Sequence, residues 1–351
     1  MQNVKTNFSN SRRVTCSVVG ARGYSGLELA RLLLKHPVAQ LTHCFATSEF
    51  KLEDHISTAG ANKVVCLQDK EILKNLTDVV FLATPAEVSL QLAPQILAAG
   101  KKVIDLSGAF RLKKNDYKKW YGFEHHEPAL LKDAFYGLTS WAGPSKGETL
   151  VANPGCYATA ISMALIPLMK ENLILNDSVV IDAKSGATGA GKKAAENLLY
   201  TEVDGECLPY KVGKHQHYPE VIETLEAFTG QKIEAHMSTS LLAARRGIIA
   251  AVYAKVQKGV TLTDVEAAFT KHYASQPLVK FGALTPARAS LKKVVGTART
   301  HISYELTDGR LYVFSCIDNL LKGAASQAVE NFNRLNDVPT HTGLTELEAL
   351  S

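Results

Sequence analysis

The sequence lacks several features that would each define a class of protein. No apolar stretch approaches the roughly 18 to 20 uninterrupted residues of a membrane span, so no membrane association is expected. None of the six cysteines forms a CxxC pair, which argues against a zinc site or a disulfide framework. The net charge of +5 comes from short, scattered basic runs, which do not indicate nucleic-acid binding. The 351 residues, 46% of them hydrophobic, are typical of a soluble protein with two domains.

The cysteines and the chain ends give expectations about location. Cys16, Cys44 and Cys316 lie inside apolar runs that predict strands, where cysteine acts as a small hydrophobe. Unpaired cysteines fit a reducing compartment, so we expect a cytoplasmic protein. The first thirteen residues carry no acid and no apolar core, which predicts a disordered tail rather than a targeting segment. Residues 339–351 are expected to form a second loose tail.

In the first half of the chain, predicted strands alternate with predicted helices. A β-branched run at residues 14–19 precedes a helical pattern at 26–35, which stops at His36-Pro37. Further strands are predicted at 41–46, 79–83 and 102–106, with a helix ending near residue 99. This alternation predicts an α/β, Rossmann-type, doubly wound domain built on a parallel sheet.

The sequence pattern of the second half predicts an α+β domain, which we expect to serve catalysis and dimerisation. Helices are expected at 156–170 and 260–273, the latter with Thr263 as its N-cap and Glu266 three residues later, and strands at 178–183, 247–256 and 311–316. A long helix at 320–335 is expected to return to the first domain. We therefore predict a discontinuous first domain, residues 1–155 and 319–351, around a second domain at 156–318.

A glycine-rich turn joins the first predicted strand to the first predicted helix. Gly20, Gly23 and Gly26 are spaced GxxGxxG, and Arg22, Tyr24 and Ser25 lie between them. Glycines at such a turn allow the backbone to approach a pyrophosphate, which then lies at the helix N-terminus. The strand–turn–helix context makes this a predicted dinucleotide site.

The end of the second predicted strand indicates which dinucleotide binds. An NAD site places an acid there for the ribose 2′-hydroxyl, but this chain has Thr47 and Ser48. Hydroxyl groups beside a cation such as Arg22 or Lys51 tolerate a 2′-phosphate. The cofactor is therefore predicted to be NADP(H).

Cys156 follows an Asn-Pro-Gly turn and begins an apolar helix. The N-terminal end of a helix stabilises a thiolate, and its free N–H groups suit an oxyanion hole. Cys156 is therefore the predicted nucleophile. A buried structural cysteine is the alternative, but such cysteines usually lie inside apolar runs.

Two histidines, His215 and His217, are the predicted acid/base partners. On an extended segment they would point the same way, and Glu220 is placed to orient one of them. Metal ligation is the alternative, yet no third ligand stands at a suitable spacing, so no metal site is predicted.

Taken together, these segments resemble the N-acetyl-gamma-glutamyl-phosphate reductases of the semialdehyde dehydrogenase family. The resemblance runs from about residue 14 to residue 336 and is carried by residues 20–29, 103–112, 152–159, 185–192, 215–220, 246–248 and 318–325. It implies NADPH-dependent reduction of N-acetyl-glutamyl 5-phosphate to the 5-semialdehyde and phosphate, through a thioester on Cys156. His217 would be the general acid/base, oriented by Glu220.

The resemblance also implies further site residues. Arg111 would hold the substrate phosphate, although a structural ion pair is its alternative role. Arg246 would meet the substrate carboxylate, and Asn153 and His215 would also contact the substrate. Ser185, Gly186 and Asn319 would lie beside the nicotinamide. The family further implies a homodimer or homotetramer.

The chain departs from the family pattern at two places, both predicted to line the cleft. Residues 237–242 replace the usual Thr-Pro-His, and Ala86 stands where the family has a histidine. These departures leave related acyl-phosphate reductases open, with a carrier-linked substrate or with aspartyl phosphate. A non-catalytic NADP-binding regulator is the alternative from a different functional class. The presence of both Cys156 and His217 argues against it, because a regulator would need neither.

Overall fold

A computed structural model describes residues 13–285 and 288–345, and the first part of this chain forms a parallel sheet. Its seven strands run in the order β3-β2-β1-β4-β5-β7-β6. They are β1 (Val14–Val19), β2 (Ala39–Ala46), β3 (Val65–Gln68), β4 (Val79–Leu82), β5 (Lys102–Asp105), β6 (Phe135–Tyr136) and β7 (Leu150–Ala152). Every pairing is parallel, as the predicted doubly wound sheet requires.

Helices connect these strands and cover the sheet. They are α1 (Tyr24–Lys35), α2 (Ala86–Ala98), α3 (Tyr117–Tyr121) and α4 (Pro128–Asp133). The leucines of α1 recur at helical spacing, so Leu29, Leu32 and Leu33 are buried together in the core of this domain. Crossover helices of this kind are what allow all the strands to run parallel.

The second part of the chain forms a mixed seven-stranded sheet in the order β12-β13-β14-β11-β8-β10-β9. Its strands are β8 (Val179–Gly186), β9 (Cys207–Pro209), β10 (Ala235–Leu242), β11 (Ile248–Lys255), β12 (Val279–Ala283), β13 (Thr300–Thr307) and β14 (Arg310–Ile317), and its helices are α5 (Cys156–Lys170), α6 (Tyr200–Val203), α7 (His217–Thr229) and α8 (Leu262–Tyr273). Alternate strand residues, such as Ile181, Val252 and Val313, form a core with the apolar helix α5. The predicted fold class is confirmed in both parts.

The C-terminal segment returns to the first sheet. A π-helical turn, Leu321–Ala325, leads into α9 (Ser326–Leu335), and Phe332 packs against Phe81. The predicted loose tail is wrong for residues 339–345, because Leu344 is buried and the Thr342 carbonyl lies 3.2 Å from Nε2 of His36. Residues 346–351 and the predicted N-terminal tail lie outside the described residues, apart from Arg13.

Two local predictions need correction. Helix α8 is capped by Thr261, not Thr263, since the Thr261 hydroxyl and the Asp264 carboxylate form a reciprocal capping box. The predicted helix at 320–335 is not α-helical throughout, because its first turn is the π-helical one. Across the described ranges, no helix has the length and apolar character needed to cross a membrane. Over the same ranges, no group of three or more His, Cys, Asp or Glu side chains is arranged to hold a metal.

Candidate active site

The glycine-rich turn is pressed between the ends of β1 and β4. Gly20 has a φ of +79°, and a Cβ at this position would lie 2.4 Å from the Ala83 carbonyl oxygen. A Cβ on Gly26 would lie 2.4 Å from the Gly20 carbonyl oxygen. Helix α1 starts within this motif, at Tyr24, with no acidic residue in its first turn and no side-chain cap. The turn therefore offers free N–H groups at a helix N-terminus, which fits the pyrophosphate of a dinucleotide.

Hydroxyl groups at the end of β2 lie beside a cation of the glycine-rich turn. The Arg22 guanidinium donates a hydrogen bond to the Ser48 hydroxyl, and Thr47 and Ser48 are both exposed. Glu49 follows but lies along a separate cavity beyond this strand. A phosphate on the ribose 2′ position would meet a cation here, so this edge fits NADP(H).

The turn before Cys156 is fixed by hydrogen bonds from distant parts of the chain. The Asn153 N–H donates to the Asp105 carbonyl (2.8 Å), its side-chain Nδ2 donates to the Ala324 carbonyl (3.2 Å), and its Oδ1 accepts from Asn331 Nδ2 (3.0 Å). The Asn153 side chain is fully buried. It was expected to contact substrate, but both ends of its amide are engaged and it anchors the turn instead.

Cys156 is the first residue of α5 and is half-buried. Burial raises the pKa of its thiol to about 11, although the Arg111 charge and the helix N–H groups act in the opposite direction. The thiolate expected from the helix position is therefore not the resting form at neutral pH. Activation requires a base that removes the thiol proton during attack.

His217 is the first residue of α7, so the expected extended segment is wrong. Its ring lies against the turn that precedes the cysteine, since a Cβ on Gly155 would lie 2.5 Å from Nε2 of His217. Burial, reinforced by the Arg111 charge, lowers the pKa of His217 to about 3. The imidazole is therefore neutral at physiological pH, which leaves it able to accept a proton but also makes it a weak base.

Glu220 does not orient His217, contrary to expectation. Its Oε1 accepts hydrogen bonds from the Gly155 N–H (2.7 Å) and the Tyr136 hydroxyl (2.8 Å), and its Oε2 lies 3.6 Å from Nη1 of Arg111. Within the described structure, Nδ1 of His217 is buried and has no hydrogen-bond partner. Glu220 therefore holds the nucleophile's turn and balances the charge of Arg111.

Arg111 lines the cleft with Cys156 and is itself anchored. Its Nε donates to the Asn153 carbonyl (2.8 Å) and its Nη2 donates to the Leu106 carbonyl (2.7 Å). Together with the Glu220 contact, these bonds fix the guanidinium plane. A fixed cation beside the nucleophile suits a phosphate leaving group.

One cleft of about 280 Å³ brings together eight of the predicted site residues, including the nucleophile and part of the glycine-rich turn. Its lining includes Gly23, Tyr24, Ser25, Gly26, Arg111, Cys156, His217 and Asn319, and also Thr188, Gly189, Lys192 and Gly323. Asn319 accepts a hydrogen bond from the Gly247 N–H (2.8 Å) and donates one to the Thr188 hydroxyl (3.1 Å). It therefore ties the turn at 187–190 to the start of β11.

Other predicted residues lie outside this lining. Ser185 and Gly186 are buried at the end of β8, next to the turn that does line the cleft. His215 lines a different cavity together with Met237 and Ser238. The atypical 237–242 segment was expected to line the catalytic cleft, but none of its residues is in the lining. Ala86 is buried at the start of α2 and is also outside it.

Arg246 links the two halves of the molecule. Its Nη1 donates to Oε1 of Glu28 on α1 (2.6 Å), and its Nη2 donates to Oδ1 of Asp318 (3.0 Å). Both terminal nitrogens are thus engaged by carboxylates. Contact with a substrate carboxylate stays a prediction that would require one of these ion pairs to open.

Gly323 and Lys192 are among the residues of the cleft that sequence reasoning did not predict. Gly323 packs against the nucleophile, since its Cβ would lie 2.6 Å from the Cβ of Cys156. Lys192 extends from the second domain to the glycine-rich turn. Both residues lie in segments that carried the family resemblance, so the sequence contained a signal for them. That resemblance did not indicate which side chains contact each other.

Comparisons with known proteins agree with this geometry. Residues 15–146 match the model of the semialdehyde dehydrogenase NAD binding domain, and residues 156–319 match the semialdehyde dehydrogenase dimerisation domain. An N-acetyl-gamma-glutamyl-phosphate reductase of Streptococcus gordonii is 39% identical over 335 residues, covering 93% of this chain and 97% of that protein. Its counterpart from Geobacillus stearothermophilus is 40% identical over 338 residues, covering 94% and 98%.

Solved structures share the fold at low identity. Aspartate semialdehyde dehydrogenase II of Vibrio cholerae superposes with a TM-score of 0.69 at 15% identity, covering 93% of this chain and 99% of that one. The Francisella tularensis enzyme also gives 0.69, at 16% identity and with 92% and 100% coverage. The chain therefore belongs to the semialdehyde dehydrogenase family and, within it, to the N-acetyl-gamma-glutamyl-phosphate reductases.

Proposed function

We propose that this chain reduces N-acetyl-L-glutamyl 5-phosphate to N-acetyl-L-glutamate 5-semialdehyde and phosphate, with NADPH, in arginine biosynthesis. The observation that carries the proposal is one cleft containing the glycine-rich turn, Cys156, His217 and Arg111. The reductases named above support the substrate assignment.

In the first half-reaction, Sγ of Cys156 forms a bond to the acyl carbon while the carbon–oxygen bond to phosphate breaks. The thiol proton passes to the neutral imidazole of His217 in step with the attack on the acyl carbon, because burial makes this imidazole too weak a base to deprotonate the resting thiol. Arg111 faces the departing phosphate charge, and the N–H groups at the start of α5 are available for the carbonyl oxygen. The products of this step are a thioester on Cys156 and inorganic phosphate.

The cofactor would be held by the glycine-rich turn through its pyrophosphate, by Arg22, Thr47 and Ser48 through its 2′-phosphate, and near Ser185, Gly186 and Asn319 through its nicotinamide end. When bound, NADPH supplies the hydride that converts the thioester carbonyl into an aldehyde. Cys156 then leaves as a thiol by recovering the proton from His217. Glu220 acts throughout as a positioning residue, because it touches the turn and Arg111 but not the reacting atoms.

We place the domain boundaries at 155/156 and 318/319, with residues 319–351 belonging to the cofactor domain. The packing of Leu321, Val329 and Phe332 in the first core supports this division. His215 and Arg246 remain proposed substrate contacts. The match to a dimerisation domain supports a homodimer or homotetramer, and the family's biosynthetic role supports a cytoplasmic location.

The test is phosphate-dependent reduction of NADP⁺ by three aldehydes, run in the oxidative direction. N-acetyl-glutamate 5-semialdehyde is expected to be oxidised rapidly, and aspartate semialdehyde and a carrier-linked aldehyde slowly. Cys156→Ala should abolish turnover while still binding NADPH. If the folded protein preferred either of the other aldehydes, the substrate assignment would be wrong. If it oxidised none of the three, the result would favour a non-catalytic NADP-binding regulator.

A further inference from the structure

Lys192 is a cation that the second domain places against the glycine-rich turn of the first. It follows the short helical turn Ala187–Ala190 and Gly191, whose φ is +86°. Its Nζ donates to the Arg22 carbonyl oxygen (3.3 Å) and lies 5.9 Å from the centre of the Tyr24 ring. The Lys192 side chain thus bridges the two domains at the mouth of the cleft.

Among residues 13–285 and 288–345, no carboxylate forms an ion pair with Lys192. Arg111 and Lys192 are the two side chains with a permanent positive charge in the lining, and no described lining residue is an aspartate or glutamate. Arg111 is satisfied by Glu220 and by two carbonyl groups, whereas Lys192 has one carbonyl contact. Helix α1 has no acid in its first turn either, so both its N-terminus and Lys192 favour an anion.

The position of Lys192 separates it from the proposed 2′-phosphate site. Ser48, the partner of the Arg22 guanidinium, does not line the cleft, whereas Lys192 lines it together with Tyr24 and Cys156. An anion that meets Lys192 therefore lies between the adenosine end and the nucleophile. In a dinucleotide, the pyrophosphate is the group found there.

We propose that Lys192 binds the cofactor pyrophosphate and so fastens the 187–195 segment of the second domain onto the glycine-rich turn. This rests on the proposed function, because it takes the dinucleotide as the ligand. Lys192 would exchange its single carbonyl contact for bonds to phosphate oxygens, in which both the donor and the acceptor are charged. Cofactor binding would then strengthen the contact between this segment and the glycine-rich turn.

The test compares Lys192→Ala with Lys193→Ala in the full chain. Lys193 is the exposed neighbour, for which the described structure shows neither a hydrogen bond nor an ion pair, and it does not line the cleft. Two ligands are titrated, NADPH and adenosine 2′-phosphate, which has the 2′-phosphate but no pyrophosphate. Lys192→Ala should weaken the binding of NADPH about tenfold, which is the loss expected for one hydrogen bond to a charged group. The affinity for adenosine 2′-phosphate should not change.

Further variants and a salt titration complete the test. Arg22→Ala should weaken the binding of both ligands, whereas Lys193→Ala should weaken the binding of neither. Lys192→Arg should keep the NADPH affinity of the wild-type protein. The dependence of NADPH affinity on salt should also become shallower in Lys192→Ala, because one phosphate contact is lost. Melting temperatures confirm that each variant is folded.

The proposal is overturned if Lys192→Ala binds NADPH as tightly as Lys193→Ala does. An equal loss for both ligands would also overturn it, by moving Lys192 to the 2′-phosphate. A wild-type protein that binds neither ligand would instead reject the proposed cofactor, which separates the two failures.

Discussion

Replacing Gly323 by alanine tests how tightly the cleft holds its nucleophile. An ideal Cβ at Gly323 lies 2.6 Å from the Cβ of Cys156, whereas ordinary contact begins at 3.4 Å, so the two backbones must separate by about 0.8 Å. The π-helical turn is anchored by a fully buried ion pair, in which Nζ of Lys322 lies 2.8 Å from each carboxylate oxygen of Glu330. We therefore expect the Cys156 side to move.

A nucleophile displaced by about 1 Å can lose roughly a hundredfold in rate, so kcat/KM of Gly323→Ala should fall about 10- to 100-fold. The matched control is Gly147→Ala, where the new Cβ meets nothing closer than 3.8 Å. The assay is oxidative turnover, together with the melting temperature. If Gly323→Ala kept the wild-type kcat/KM, the contact with Cys156 would not constrain catalysis.

A second background separates this contact from general damage. Removing the side chain in Cys156→Gly removes the colliding atom, so Gly323→Ala should lower the melting temperature in the wild-type background and much less in Cys156→Gly. Equal losses in both backgrounds would mean that the strain arises elsewhere. The coupling between the two substitutions isolates the pairwise term.

Two further predictions concern ionisation. Because burial raises the pKa of Cys156 to about 11, its alkylation rate in the ligand-free protein, followed by peptide mass, should rise about tenfold per pH unit from pH 7 to 10; a plateau below pH 8 would show a resting thiolate. Burial lowers the pKa of His36 to about 4, of His217 to about 3 and of His215 to about 2, from 6.5. Each of these histidines stays neutral in the folded protein, whereas it takes up a proton below pH 6.5 in the unfolded chain. The free energy of unfolding is therefore unaffected by them above pH 6.5 and falls as the pH drops below that value, by about 2 kcal/mol for each histidine at pH 5. Urea unfolding at pH 7 and 5 measures this, and a free energy of unfolding that did not change would contradict it.

The parts of the site that the sequence predicted are local. The glycine-rich turn and Cys156 each depend on a few consecutive residues, so strand, turn and helix signals suffice to place them. The start of α7 at His217 carried such a signal as well, because Pro219 is tolerated within the first turn of a helix. That signal was interpreted as an extended segment, and the error misplaced Glu220.

The contacts that the sequence could not predict join distant residues. Glu220 bonds the Gly155 N–H across 65 positions, and Asn331 bonds Asn153 across 178. No periodicity or motif spacing reports such pairs, so Asn153 was assigned to the substrate although it is buried. Strand β10 was missed because its sequence, AHMSTSLL, has little of the β-branched and aromatic enrichment that marks a strand.

The most direct test of the central claim is the amount of NADPH formed without phosphate. If Cys156 carries a thioester, enzyme mixed with N-acetyl-glutamate 5-semialdehyde and NADP⁺ should produce a burst of about one NADPH per chain and then stop. Added phosphate should restore turnover, and before that addition the acyl group should be found on the Cys156 peptide by mass spectrometry. Steady turnover without a burst, or an acyl group on another residue, would contradict Cys156 as the nucleophile.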